Sequence, residues 1–108
     1  MPIDFGAIVA ITTVPDQNVG VKIAEALLQQ RLAACVHLLP AGRSMYRWQG
    51  KIEDRAEITI LIKTTTARYA ELEATIKRLH PFEVPEIVAF PISQILPAYF
   101  DWILGETK

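Results

Sequence analysis

The chain holds a single cysteine, Cys35, so no disulfide can form within it. Glycine is scarce as well, and no glycine-rich phosphate loop is present. There is no H-E-x-x-H helix, no Ser-His-Asp set and no evident acid–base pair of carboxylates, so an enzyme is not expected. No apolar run reaches the ~20 residues of a membrane-spanning helix. No block of like charge exists either: 11 basic and 12 acidic residues are interspersed, which speaks against nucleic acid as a partner. The opening stretch lacks the basic region and small-residue cleavage site of a secretory signal. Taken together, these absences lead us to expect one soluble cytoplasmic domain over residues 1–108, with no membrane partner.

What the chain does have is apolar content: 51% of its residues are hydrophobic. The pattern repeats in two halves, each strand, helix, strand. "GAIVAITTV" is short, apolar and β-branched. Asp16 is placed to cap a helix whose apolar face carries Gly20, Ile23, Ala24, Leu27, Leu28 and Arg31. "AACVHLLPAGRSMYRW" reads as a long second strand, and Gln49-Gly50 as a two-residue turn into the third, "KIEDRAEITILIKT". A second helix starts near Thr66 and stops before Pro81, which biases His80 toward extended backbone. "PEIVAFPI" supplies a fourth strand, and Pro97 opens a last short helix. The order is βαββαβ plus a C-terminal helix. This is α+β, with a ferredoxin-like split-βαβ antiparallel sheet, helices on one face and a long hairpin between the second and third strands.

The strands do not alternate to polar on the face away from the helices. Val9 and Ile11 oppose Ile8 and Ala10, Leu61 opposes Ile60 and Ile62, and Val88 and Phe90 oppose Ile87 and Ala89. A face this apolar predicts a homo-oligomer that covers it. Register refines the picture. An unbroken ladder from the turn would pair Trp48 with Lys51 and His37 with Ile62. Pro40, inside the strand, cannot donate to that ladder, so a bulge is expected there. Beyond it Val36 and Leu38 join the isoleucine face, while Cys35 and His37 move beside Leu61 and Lys63.

Several side chains are candidates for function. "LHPFEVPEI" (79–87) sets His80, Glu83 and Glu86 between two prolines. His80 reads either as a metal ligand or as a helix C-terminal cap. Glu83 and Glu86 are hard oxygen donors, better suited to Mg²⁺ or Ca²⁺ than to copper. Cys35 and His37 lie ~6.6 Å apart along one strand face, as two soft ligands or as structural residues. Lys63 reads as a subunit-boundary ion pair or as a contact for an anionic ligand. Tyr46 and Trp48, near the hairpin tip, read as anchors onto a neighbouring subunit.

"TTVPD" (12–16), "RLAACV" (31–36), "YRWQG" (46–50), "LIKTT" (61–65), "LHPFEVPEI" and "YFDWI" together resemble the motif series of the CutA family, the divalent-cation tolerance proteins. Phe82 stands where the family more often has tyrosine. The resemblance implies a compact homotrimer, kinship with the PII-like signalling proteins, and a role in divalent-metal tolerance. Some bacterial members offer copper a cysteine at the position of Thr12 and two histidines at those of Leu79 and His80, of which this chain keeps His80. The expected metal ligands are therefore His80, Glu83 and Cys35, with copper as the candidate ion and Tyr46, Trp48 and Lys63 at the subunit interface. The competing expectations are a PII-like module for a small anionic metabolite and a trimeric scaffold for another protein.

Overall fold

The computed structural model describes residues 6–108. Five strands and three helices follow in the order β1 (Ala7–Val14), α1 (Gln17–Gln29), β2 (Cys35–Leu38), β3 (Gly42–Trp48), β4 (Lys51–Thr65), α2 (Tyr69–Leu79), β5 (Ile87–Pro91) and α3 (Pro97–Glu106). A 3-10 turn at Thr66–Arg68 leads into α2. The sheet order is β2-β4-β1-β5, antiparallel throughout, with β3 also paired to β4. This is the ferredoxin-like arrangement expected from two βαβ halves.

The local signals act as their chemistry requires. The Asp16 side chain accepts from the Val19 N–H at 3.0 Å and starts α1. Gly20 lets that helix close on the strands, since a Cβ there would lie 2.9 Å from Leu38. At the other end Arg31 adopts φ 57, donating its N–H to Leu28 while Leu32 donates to Leu27. That pair of bonds is a Schellman motif with arginine where glycine is usual. Arg31 is thus outside α1 rather than on its apolar face, and its guanidinium donates to the carbonyls of Gly105 and Glu106 at the end of α3. Leu28, also expected on that face, is exposed.

The core lies between the sheet and helices α1 and α2. Ala10, Val14, Ile23, Leu27, Ile60, Ile62, Leu72 and Ile76 are all fully buried there. Each large aliphatic side chain so buried contributes roughly 1.5–3 kcal/mol. Tyr69 ties α2 to β5 with its hydroxyl near Glu73 (2.9 Å) and the Ile87 carbonyl (3.4 Å). Burial, reinforced by Glu73, pushes its phenol up to about 12. The terminal helix packs elsewhere. Ile103 meets Ala7 and Ala34, and Ala7 shares strand parity with Val9 and Ile11. By that parity α3 caps one end of the sheet's second face and leaves the rest open.

The bulge at Pro40 is present. β3 pairs with β4 from Trp48↔Lys51 to Gly42↔Glu57, but β2 pairs one residue out of step, Leu38↔Ile60 to Cys35↔Lys63. His37 therefore faces Leu61 rather than Ile62. The extra residue sorts the chain by polarity. Val36 and Leu38 pack against the core, and Cys35 and His37 turn to the open face. The hairpin tip is the expected two-residue turn, with Gln49 (φ 50) and Gly50 (φ 80) both left-handed.

Candidate functional site

Two surfaces compete for a functional role. The first is the open sheet face. Register lines up Val88, Ile11, Leu61 and His37 in one row, and Phe90, Val9, Lys63 and Cys35 in the next. Val88 and Phe90 are exposed, and Phe90 presents 55% of its surface. Lys63 sits amid this apolar field with its ammonium 3.4 Å from His37 Nδ1, which it serves as a donor. No carboxylate pairs with it among the described residues. Cys35 is a free, half-buried thiol. The Tyr99 phenol of α3 is pushed up, first by burial and then by the nearby cysteine.

The second surface is a cleft of about 640 Å³ between the hairpin arm and the 81–86 connection. Tyr46 and Trp48 line it from β3, Glu53, Arg55 and Glu57 from β4, and Phe82, Glu83 and Glu86 from the connection. Four carboxylates thus face one guanidinium, and that guanidinium is taken: Arg55 donates to Glu53 Oε1 at 3.2 and 3.3 Å. The cleft carries a strongly negative field.

His80 holds this cleft together without facing it. α2 ends at Leu79, and His80 takes ψ 135, the extended geometry that Pro81 demands. Its buried ring then does two things. Nε2–H donates to the Thr13 carbonyl at 2.7 Å, and Nδ1 accepts from the Phe82 N–H at 3.1 Å. These bonds require the neutral Nε2–H tautomer and leave no nitrogen lone pair for a metal. The ring also packs on Phe82 at 4.8 Å. His80 is thus a latch between β1 and the 81–86 connection, and not a cap on the carbonyls of α2.

The residues expected to share a metal are not brought together. Cys35 stands opposite Lys63 and Val9, whereas His80 bonds Thr13, four residues or about 13 Å further along β1. Glu83 lines the cleft, which neither Cys35 nor His80 does, and both imidazole nitrogens are engaged elsewhere. At the position of the proposed copper-binding cysteine, the Thr12 hydroxyl is fully buried and has no partner among the described residues. A neutral hydroxyl is a poor ligand for copper, and no group of three metal-ligating side chains converges among the described residues. A copper centre built on Thr12 and His80 does not fit this chain. Tyr46 and Trp48 line the cleft from β3, and both are exposed. Glu57 escaped the sequence reading. The signal was the hairpin register counted from the turn, which sets it opposite Gly42 and on the parity of Leu61.

Comparison with known proteins gives the family and agrees with the fold. Residues 8–106 match the model of the CutA1 divalent ion tolerance protein family. The divalent-cation tolerance protein CutA of Thermus thermophilus is 46% identical over 99 residues, covering 92% of this chain and 96% of that one. The crystal structure of CutA from Xylella fastidiosa superposes with a TM-score of 0.93 at 41% identity, covering 95% of this chain and 99% of that one. A CutA from Archaeoglobus fulgidus, described as a periplasmic divalent cation tolerance protein, superposes at 0.92 with 32% identity, over 94% and 99% of the two chains. No helix among the described residues is long and apolar enough to cross a membrane. The chain belongs to the CutA1 family of divalent ion tolerance proteins.

Proposed function

We propose that this protein is a non-catalytic homotrimer that binds a divalent cation at the rim of the acidic cleft. Glu83 and Glu86 are its oxygen donors, and a neighbouring copy completes the set. The observation that carries this reading is the charge of the cleft, four carboxylates against one guanidinium already bound to one of them. A single chain offers no three-ligand group among its described residues, so the site needs the second copy. Hard carboxylates suit Mg²⁺, Ca²⁺ or Mn²⁺ better than copper. His80 contributes by fixing the 81–86 connection, not by ligation. Cys35 belongs to the packed face, and its free thiol fits a reducing cytoplasm.

The trimer itself is supported by the two apolar rows of the open face, which a monomer would leave in water. Lys63 lies on that face and Tyr46 and Trp48 on the projecting arm, so all three meet a neighbour in this reading. The anionic-metabolite alternative has less behind it, because it depends on Lys63. That ammonium is not in the cleft and already donates to His37. The test combines light scattering with calorimetric titration of Mn²⁺ and Cu²⁺ into the metal-free protein, Glu83→Gln and His80→Ala. Three chain masses, with Mn²⁺ binding abolished by Glu83→Gln, are expected. Binding indifferent to Glu83, or a monomeric mass, would sink the reading.

A further inference from the structure

One carboxylate of the cleft differs from the rest. Glu57 is 6% exposed, yet no hydrogen bond or ion pair reaches its side chain among the described residues. Glu53 has Arg55, while Glu83 and Glu86 are exposed to water. Most of the residue is buried and its carboxylate has no partner among the described residues, so it is placed to pair with a cation that enters the cleft. Its oxygens are not sealed in, as the Thr12 hydroxyl is, but open into the cleft. The residue across the ladder is Gly42, so no side chain from β3 fills the space beside it. A Cβ at Gly42 would meet nothing closer than 3.8 Å, which confirms the room.

We propose that Glu57 is the anchor of a second subsite, on the floor of the cleft, for an organic cation bearing a guanidinium or protonated amine. Charge sets the sign of the ligand, and coordination sets its class. One carboxylate supplies at most two oxygens, whereas a divalent metal asks for about six. A guanidinium needs only one carboxylate, which it grips with two parallel hydrogen bonds. Pro81, Phe82 and Val84 line the same cleft and offer an apolar wall for the alkyl stem behind such a head group. The volume, about 640 Å³, lies within the range of small-molecule sites. The head group has two sources, a free small amine or an Arg or Lys side chain of a second copy. The chemistry at Glu57 is the same in both.

The test uses the full chain labelled for NMR. Agmatine, which carries a guanidinium at one end and an amine at the other, is titrated against a sodium chloride control of equal ionic strength. The Glu57 carboxyl carbon reports directly in the unsubstituted protein, so the reading does not depend on a variant folding. If the site takes a free amine, that signal and the Phe82 amide shift saturably. Glu57→Gln then weakens binding roughly tenfold or more, while Glu83→Gln leaves it intact and loses only Mn²⁺. If a second copy already fills the site, agmatine has no effect and Glu57→Gln raises the subunit dissociation constant by about the same factor. Agmatine binding that ignores Glu57→Gln overturns the proposal. So does the absence of agmatine binding together with unchanged assembly in that variant.

Discussion

The sheet core and the hairpin arm are parts of one continuous ladder, yet they are stabilised in different ways. Along the second half of β4, Ile58, Ile60 and Ile62 are buried under two helices. Along the first half, the same strand carries Ile52 at 68% exposure, and on β3 Met45, opposite Asp54, stands at 63%. Ile52 and Met45 are left uncovered by every helix among the described residues, and an isolated two-stranded ribbon is marginal in water. The core is complete within one chain. The arm, with Tyr46 and Trp48 on it, leaves large apolar side chains exposed.

The largest effect is expected where the comparison is sharpest. Ile62→Ala empties a fully buried site between β4 and the helices. It should cost roughly 2–5 kcal/mol in a urea titration and lower stability equally at every protein concentration. A loss that depends on concentration would mean that the core is not self-sufficient.

Trp48→Ala tests the other half of the comparison. An interface anchor of this kind is worth on the order of 2 kcal/mol. The loss should appear as a weaker oligomer, with a melting temperature that now rises with concentration. Unchanged mass and melting would show that the arm supports itself.

Within the core a smaller effect has the opposite sign. Thr64 and Thr12 lie on the same sheet face, both fully buried. Thr64 donates to the Leu32 carbonyl at 2.7 Å, whereas the Thr12 hydroxyl finds no partner. Thr12→Val keeps the shape and removes the unpaired hydroxyl, so it should add about 1 kcal/mol of stability. A destabilised variant would show that the hydroxyl does bond something, a buried water being the obvious partner.

The difference between core and arm also explains what could be read from the sequence. Periodicity reports which face of an element is apolar, so both faces of the sheet and the order of elements were legible. The bulge was legible too, because Pro40 cannot donate and the isoleucine parity demanded a shift. Long-range polar partners were not. His80 sits in a motif that advertises metal chemistry, but its role depends on the Thr13 carbonyl, which only the folded sheet brings within reach. Arg31 fits helical spacing, and only the Schellman turn carries it over to α3. Glu57 lies in a polar run, "KIEDRAE", where nothing local distinguishes one carboxylate from its neighbours. Only the fold sets it in one cleft with the 81–86 connection.

The smallest effect belongs to the best-formed ion pair. Arg43 grips Asp54 with two bonds of 2.8 and 2.6 Å on the arm. The guanidinium holds the Asp54 carboxyl below its usual range, and the carboxylate raises the arginine in turn. Short bonds do not make the pair valuable, because both groups remain in water, where solvent and salt screen them. A depressed carboxyl contributes only above its unfolded value and loses that contribution as pH falls through the folded one. At neutral pH the contribution is therefore fully present, and it is still small. Arg43→Gln should leave melting temperature and subunit mass unchanged in dilute buffer and in molar salt, as measured by differential scanning calorimetry and light scattering. If the substitution instead loosens the assembly, Asp54 is held by more than its own chain, and the contact surface of the arm extends to both of its faces.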